Sequence, residues 1–221
     1  MAKKLYLSAA AHAADNSTKC PGKCSENTHC DAYMDIVEKR LKECGFETRR
    51  GYADLKGDDA MAKRVADANS WGADLDYVAH TNSGGGRYSM TMCWNSEESI
   101  AKANILHKYR KFYTPHKVVT RNDLYEIKNT KMVCLYDELF FHDNAEDCAK
   151  FHNGGMEIVA EETVQGICEM FGVAYTPPVS DSKMVAELQD KVKLLESTVF
   201  SLKGEISALK TKIDNAKKAL Q

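Results

Sequence analysis

The chain has no run of about eighteen consecutive apolar residues, so no segment reads as a membrane-spanning helix. Net charge is nearly absent as well: 30 Lys and Arg stand against 32 Asp and Glu, a formal balance of −2. That balance gives no reason to expect nucleic acid or an anionic membrane as the main partner. A secretion leader is also not legible. "MAKKLYLSAAAHAADN" carries two lysines, but its apolar part is brief and runs at once into His12 and Asp15. It reads as a first β-strand.

What is present is a globular balance, 43% hydrophobic and 28% charged over 221 residues. That is enough for one domain of ordinary size plus an appendage. Of the eight cysteines, Cys44, Cys93, Cys134, Cys148 and Cys168 are scattered through apolar segments without motif spacing. They read as core filler of a protein made in a reducing cytoplasm.

Residues 1–174 alternate strand-like and helix-like patterns. "KLYLSAA", "FETRRGY", "DLDYVAH", "YSMTMCW" and "MVCLYDE" read as strands. "DAYMDIVEKRLKECG" repeats apolar residues at Met34, Val37, Leu41 and Cys44 and ends at Gly45, a helix with a C-terminal glycine. "DDAMAKRVADANSWG", "SEESIAKANILHKYRKFY" and "MEIVAEETVQGICEMFG" are further helices. The expected class is α/β, a mixed, largely parallel sheet flanked by helices.

"AYTPPVSDSK" breaks this pattern, and residues 175–183 read as a proline-containing linker. Residues 184–221 then become heptad. Val185, Val192, Val199, Ile206 and Ile213 are spaced as a positions, with Leu188, Leu195, Leu202 and Leu209 at d. β-Branched a and leucine d residues favour a parallel two-stranded coiled coil. Lys191 and Glu196, and Glu205 and Lys210, are placed to pair across such a dimer. No polar residue interrupts the seam, which leaves a trimer, a tetramer or an antiparallel pair open.

In a parallel sheet, ligands collect beyond the carboxyl ends of the strands. The first strand runs into His12, "DLDYVAH" ends in His80 and "MVCLYDE" ends in Glu138. Glu26 lies just before the first helix, which starts at the same edge. Two histidines and a carboxylate with an open fourth position make the usual catalytic zinc set. A further carboxylate is what metal-assisted hydrolysis needs as proton carrier. A histidine at a strand end is also commonly a hydrogen-bonded structural residue, so the residues alone leave both readings open. His107, His116, His142 and His152 read as surface residues.

"AKRVADANSWGADLDYVAHTNS" resembles the helix–strand segment of the zinc-dependent N-acetylmuramoyl-L-alanine amidases, the amidase type 3 family. In that family an Arg, an "AN", a "GADL" and a strand-terminal "HTN" recur. "VCLYDELFFHDNAEDCAKF" is similar to its glutamate-bearing strand, and "IVAEETVQGICEMFGV" to its closing helix. The resemblance covers nearly all of residues 1–174. It implies His12, Glu26 and His80 as metal ligands, Glu138 as catalytic glutamate and Zn2+ as cofactor. It also implies peptidoglycan as substrate, hydrolysed at the amide between the lactyl group of N-acetylmuramic acid and the first L-alanine of the stem peptide. The chain departs from the family around its first histidine, where "AAAHAADN" replaces a glycine-rich "GHGG". An amidase without a leader is expected to be made in the bacterial cytoplasm and to act on the wall after release, as a phage or prophage endolysin does. The alternatives are a non-catalytic wall-binding or scaffold protein on the same fold and a zinc peptidase acting on another amide.

"CPGKCSENTHC", residues 20–30, holds three cysteines and a histidine. A self-contained zinc knot is disfavoured by its C-x3-C spacing and by the adjacency of His29 and Cys30. Cys20 and Cys24 read as loop filler, with pairing to each other open under oxidising conditions. His29 is the reserve ligand to Glu26.

Overall fold

The computed structural model of the protein describes residues 2–14, 18–52, 55–178 and 181–219. It divides into two compact units, Met1–Thr176 and Pro177–Gln221. In the first, β1 (Lys4–Ala9) leads through a 3-10 turn at Pro21–Lys23 into α1 (Glu26–Glu43). Then come β2 (Glu47–Arg50), α2 (Asp58–Trp71), β3 (Leu75–Asn82), β4 (Ser89–Cys93), α3 (Glu97–Tyr109) and β5 (His116–Thr120). α4 (Tyr125–Asn129), β6 (Val133–Phe141), α5 (Ala145–Lys150), a π-turn at Phe151–Gly155 and α6 (Met156–Phe171) complete the unit.

The sheet order is β2-β1-β3-β6-β4-β5. β2, β1, β3 and β6 are mutually parallel, whereas β4 runs antiparallel to β6 and carries β5 parallel to itself. The sheet is therefore mixed and largely parallel, as the sequence pattern implies, and the carboxyl ends of β1, β3 and β6 share one rim. β5 is not foreseen from sequence, because "HKVVT" is short and only its first residue is fully buried. β6 lies between β3 and β4, so the loop of residues 83–88 carries the chain past β6.

Strand side chains alternate between faces, and the core divides accordingly. Leu5, Leu7, Leu75, Tyr77, Leu135 and Leu139 pack in one cluster with Met34 of α1, Leu106 of α3 and Val164 of α6. The intervening Tyr6 packs with Ala68 of α2, and Val78 and Cys134 with Ile127 of α4, on the opposite face. Two helices end on left-handed glycines, Gly72 after α2 and Gly172 after α6. α1 begins one residue after Ser25, whose side chain accepts from the Thr28 N–H at 3.2 Å, so Glu26 lies inside the helix's first turn rather than before it.

One buried ion pair crosses the main core. The Arg110 guanidinium meets the Asp137 carboxylate and also donates to Thr163 Oγ1 (2.7 Å) and the Val159 carbonyl (2.9 Å). Asp137 accepts in addition from the Tyr77 hydroxyl (2.8 Å) and Thr91 Oγ1 (2.6 Å). Burial pushes the Asp137 carboxyl up, but Arg110 and the hydrogen bonds outweigh it and hold it well below the usual range. A depressed carboxylate contributes stability above its unfolded pKa and loses it only as pH falls through the folded value.

His116 and His142 are buried, not on the surface, because each has polar partners: Thr91 Oγ1 for the former (3.1 Å) and Thr81 Oγ1 for the latter (3.0 Å). His107 and His152 are exposed. Cys44, Cys93, Cys134 and Cys168 are free and buried. Cys148 is buried too, but it is bonded to Cys20, so Cys20 and Cys24 do not pair with each other.

The second unit holds α7 (Asp181–Ala219). Along it Val192, Leu195, Val199, Leu202, Ile206 and Leu209 are 48–63% exposed. The side chains of Val185, Leu188 and Ile213 lie outside the described residues. Among the described residues no helix is long and apolar enough to cross a membrane.

Removing one member of a buried pair leaves the other charge uncompensated. Arg110→Met is expected to lower stability by roughly 3–5 kcal/mol, read as a shift of the urea midpoint. A change smaller than the scatter of surface variants would refute the role given to this pair.

Candidate functional site

Glu26 is the centre of the rim. It is 2% exposed, in the first turn of α1, where backbone N–H groups favour an anion. Its Oε1 accepts from the Thr81 N–H (3.0 Å) and stands 3.0 Å from Nδ1 of His80. Its Oε2 stands 3.0 Å from Nε2 of His12 and 3.7 Å from Nδ1 of His142. Ligand atoms of His12, Glu26 and His80 all lie within 4.8 Å of one another.

Each member is placed by a different element. His80 belongs to β3, and its ring stacks on Tyr136 of β6 at 4.5 Å between centroids. His12 follows β1, and Asn27 clamps its backbone: Oδ1 accepts from the His12 N–H (2.9 Å) and Nδ2 donates to its carbonyl (3.1 Å). Glu138 is the register partner of His80 across β3 and β6, so the two side chains share a face. Its Oε2 is buried without a hydrogen-bond partner. The reserve ligand His29 is not part of this cluster: its Nε2 bonds Thr81 Oγ1 at 2.8 Å, on the other side of β3.

The electrostatics follow from this packing. Burial would raise Glu26, but the histidines and the Thr81 N–H outweigh it and keep the carboxyl ionised far below its usual value. The neighbouring carboxylate pushes His12 up. Glu138 has no such partners, and burial, reinforced by the charge of Glu26, pushes it up to about 8. Two carboxyls on one rim thus have their pKa values pushed apart, the arrangement by which one fold supplies both a fixed anion and a proton carrier. A cleft of ≈ 240 Å³ opens beside them, floored by His12, His80 and Tyr136 and walled by Met61, Arg64 and Glu126.

Two imidazoles and a carboxylate converging within ligand distance, with a neighbouring carboxyl free to move protons, could hold a divalent cation and hydrolyse a bond beside it. Sequence reasoning does not single out Asn27, Thr81, His142 or Tyr136. Thr81 carries the one available signal, its place next to His80 in "HTN".

Residues 9–169 match the family model described as N-acetylmuramoyl-L-alanine amidase. The chain is similar in structure to the catalytic domain of an N-acetylmuramoyl-L-alanine amidase from Bacillus (Paenibacillus) polymyxa (TM-score 0.68, 23% identity, covering 78% of this chain and 99% of that one). It is similar also to the apo form of such an amidase from Mycobacterium abscessus (0.66, 18%, 77% and 100%). A further match is the catalytic domain of an endolysin targeting Clostridia difficile (0.63, 19%, 76% and 97%). No curated protein sequence matches the chain.

Proposed function

Since the chain belongs to the N-acetylmuramoyl-L-alanine amidase family, we propose that it cleaves the amide between N-acetylmuramic acid and the L-alanine of the peptidoglycan stem peptide, with zinc held by His12, Glu26 and His80. The observation that carries this reading is the convergence of those three ligand atoms on the rim that also bears Glu138. The donor set of two imidazoles and one carboxylate, with ligand atoms within 4.8 Å of one another, suits zinc.

Zinc in this position supplies Lewis acidity toward an amide carbonyl and toward water. The chain's own residues do the rest. Thr81 and the first turn of α1 hold the Glu26 anion in place, and Tyr136 and Asn27 fix His80 and the His12 backbone. Glu138 takes the proton of the attacking water on its unpartnered Oε2 and returns it to the amine that leaves. The Met61 and Arg64 wall leaves the cleft open for the glycopeptide.

The uncovered apolar seam of α7 supports pairing of two chains, which raises the effective concentration of catalytic units on a polymeric wall. We place the protein with endolysins, acting on the wall of a host cell during lysis.

Glu138→Gln is expected to lower wall-clearing activity by about 10²–10⁴-fold while zinc content is kept. Equal clearing by variant and wild type would sink the assignment, and products lacking a new L-alanine N-terminus would move the cut to another bond. Asn27→Ala, which loosens the His12 backbone, should weaken zinc binding at this cluster by about 10–100-fold, seen as loss of activity at lower chelator concentration. Light scattering of the intact protein is expected to give two chains per particle and one after deletion of residues beyond 180; a monomeric intact protein is incompatible with the pairing.

A further inference from the structure

On the face of β3 opposite the Glu26 cluster lies a second set of ligand-type side chains that the amidase reading does not use. Cys20 and Cys24 come from the loop before α1, His29 from the first turns of α1, and His152 from the π-turn after α5. Sγ of Cys24 is 3.3 Å from Nε2 of His152 and 3.6 Å from Nδ1 of His29, and Sγ of Cys20 is 3.8 Å from the same Nδ1. All four ligand atoms fall within 4.8 Å of one another. Metal–sulfur and metal–nitrogen bonds of about 2.3 and 2.0 Å at tetrahedral angles put neighbouring S and N ligands roughly 3.5 Å apart. The observed separations have that size.

We propose that the reduced protein binds a second zinc ion, structural rather than catalytic, in a Cys2His2 centre made by Cys20, Cys24, His29 and His152. The protonation pattern is consistent throughout. His29 ligates through Nδ1, so its proton sits on Nε2, where Thr81 Oγ1 accepts it at 2.8 Å; Thr81 Oγ1 in turn reaches Nδ1 of His142 at 3.0 Å. A ligating histidine whose other nitrogen is held in this way is the usual outer-shell arrangement. Cys20 and Cys24 each release one proton to solvent on binding, and both imidazoles bind neutral.

Cys20 has a competing fate, its bond to Cys148. A phosphine or dithiol reductant supplies the two electrons that break this S–S bond, and both sulfurs leave as thiols. The centre is then complete, with Cys148 as its neighbour and not its ligand. The self-contained knot is excluded by geometry, since Cys30 is not in the cluster and His152, 128 residues from Cys24, takes the fourth place. The ion would pin the loop leading to Glu26 to the π-turn after α5. Through His29 and Thr81 it would brace the backbone N–H that holds Glu26.

Cobalt(II) spectroscopy separates this centre from the first, because only this one has thiolates. Cobalt added to the metal-free, phosphine-reduced full-length protein is expected to give a near-ultraviolet sulfur-to-metal charge-transfer band that zinc bleaches. The band should persist in His80→Ala, be lost in Cys24→Ser and be weakened in His152→Ala, whose exposed position makes it the variant least able to perturb folding. Zinc content should fall from two equivalents per chain to one in Cys24→Ser and, separately, to one in His80→Ala. The proposal is overturned by a reduced wild type with no thiolate band, by a band indifferent to both Cys24→Ser and His152→Ala, or by a single zinc lost only with His80→Ala.

Discussion

The candidate site depends on keeping one carboxylate ionised inside protein. An isolated buried carboxylate is unfavourable by several kcal/mol unless it is paired and hydrogen-bonded. Glu26 meets that condition from four directions: the α1 N-terminus, the Thr81 N–H, His80 and His12. These partners come from three separate parts of the sequence, so β1, α1 and β3 must all be in register before the anion is tolerated. The same requirement explains why Glu138, so close by, is pushed the other way. It is buried without donors and faces the charge of Glu26, and so its pKa is pushed up into the range of a proton carrier.

The tip of β3 divides the chemistry by simple alternation. His80 points to the face shared with Glu138 and Tyr136, while Thr81, one residue on, turns to the face of His29 and His142. β6 repeats the device. Glu138 shares the face of His80, and Asp137 faces the core, where Arg110, Tyr77 and Thr91 hold it. A one-residue slip of either strand would exchange these roles entirely, so the buried Arg110–Asp137 pair acts as a register lock for the residue beside it. That gives a buried ion pair of modest net stability a structural purpose.

Much of this was readable from the chain because strand ends and helix starts announce themselves. "DLDYVAH" and "MVCLYDE" are apolar runs that stop at His80 and Glu138, and the sheet and its helices follow the periodicity. Glu26 and His12 needed the idea of a shared rim, and the family resemblance, to be chosen from among many polar residues. What was not readable depends on long-range pairing. Burial of His116 follows from Thr91 and Asp137, and that of His142 from Thr81. Neither carries a local signal. The partner of Cys20 is 128 residues away, as is the His152 that approaches Cys24, so no spacing rule within "CPGKCSENTHC" finds them. β5 was missed for a related reason: a five-residue edge strand has too few buried positions to show alternation.

The long helix poses a separate problem of stability. At 39 residues and about 1.5 Å per residue it is roughly 58 Å long. Its interior contains Gly204, which in a helix is unfavourable by about 1 kcal/mol relative to Ala. In a solitary helix nothing compensates for that residue, or for the half-exposed valines and leucines of the seam. Packing of an amphipathic face, more than intrinsic propensity, stabilises helices in proteins. A heptad stripe with β-branched a and leucine d residues provides such a face to a second copy of itself. Gly204 falls outside the a and d positions, so it loosens the helix without interrupting the seam. In the proposed pair, a helix marginal alone and firm when paired would make folding of this segment and association one event, linked by mass action to chain concentration.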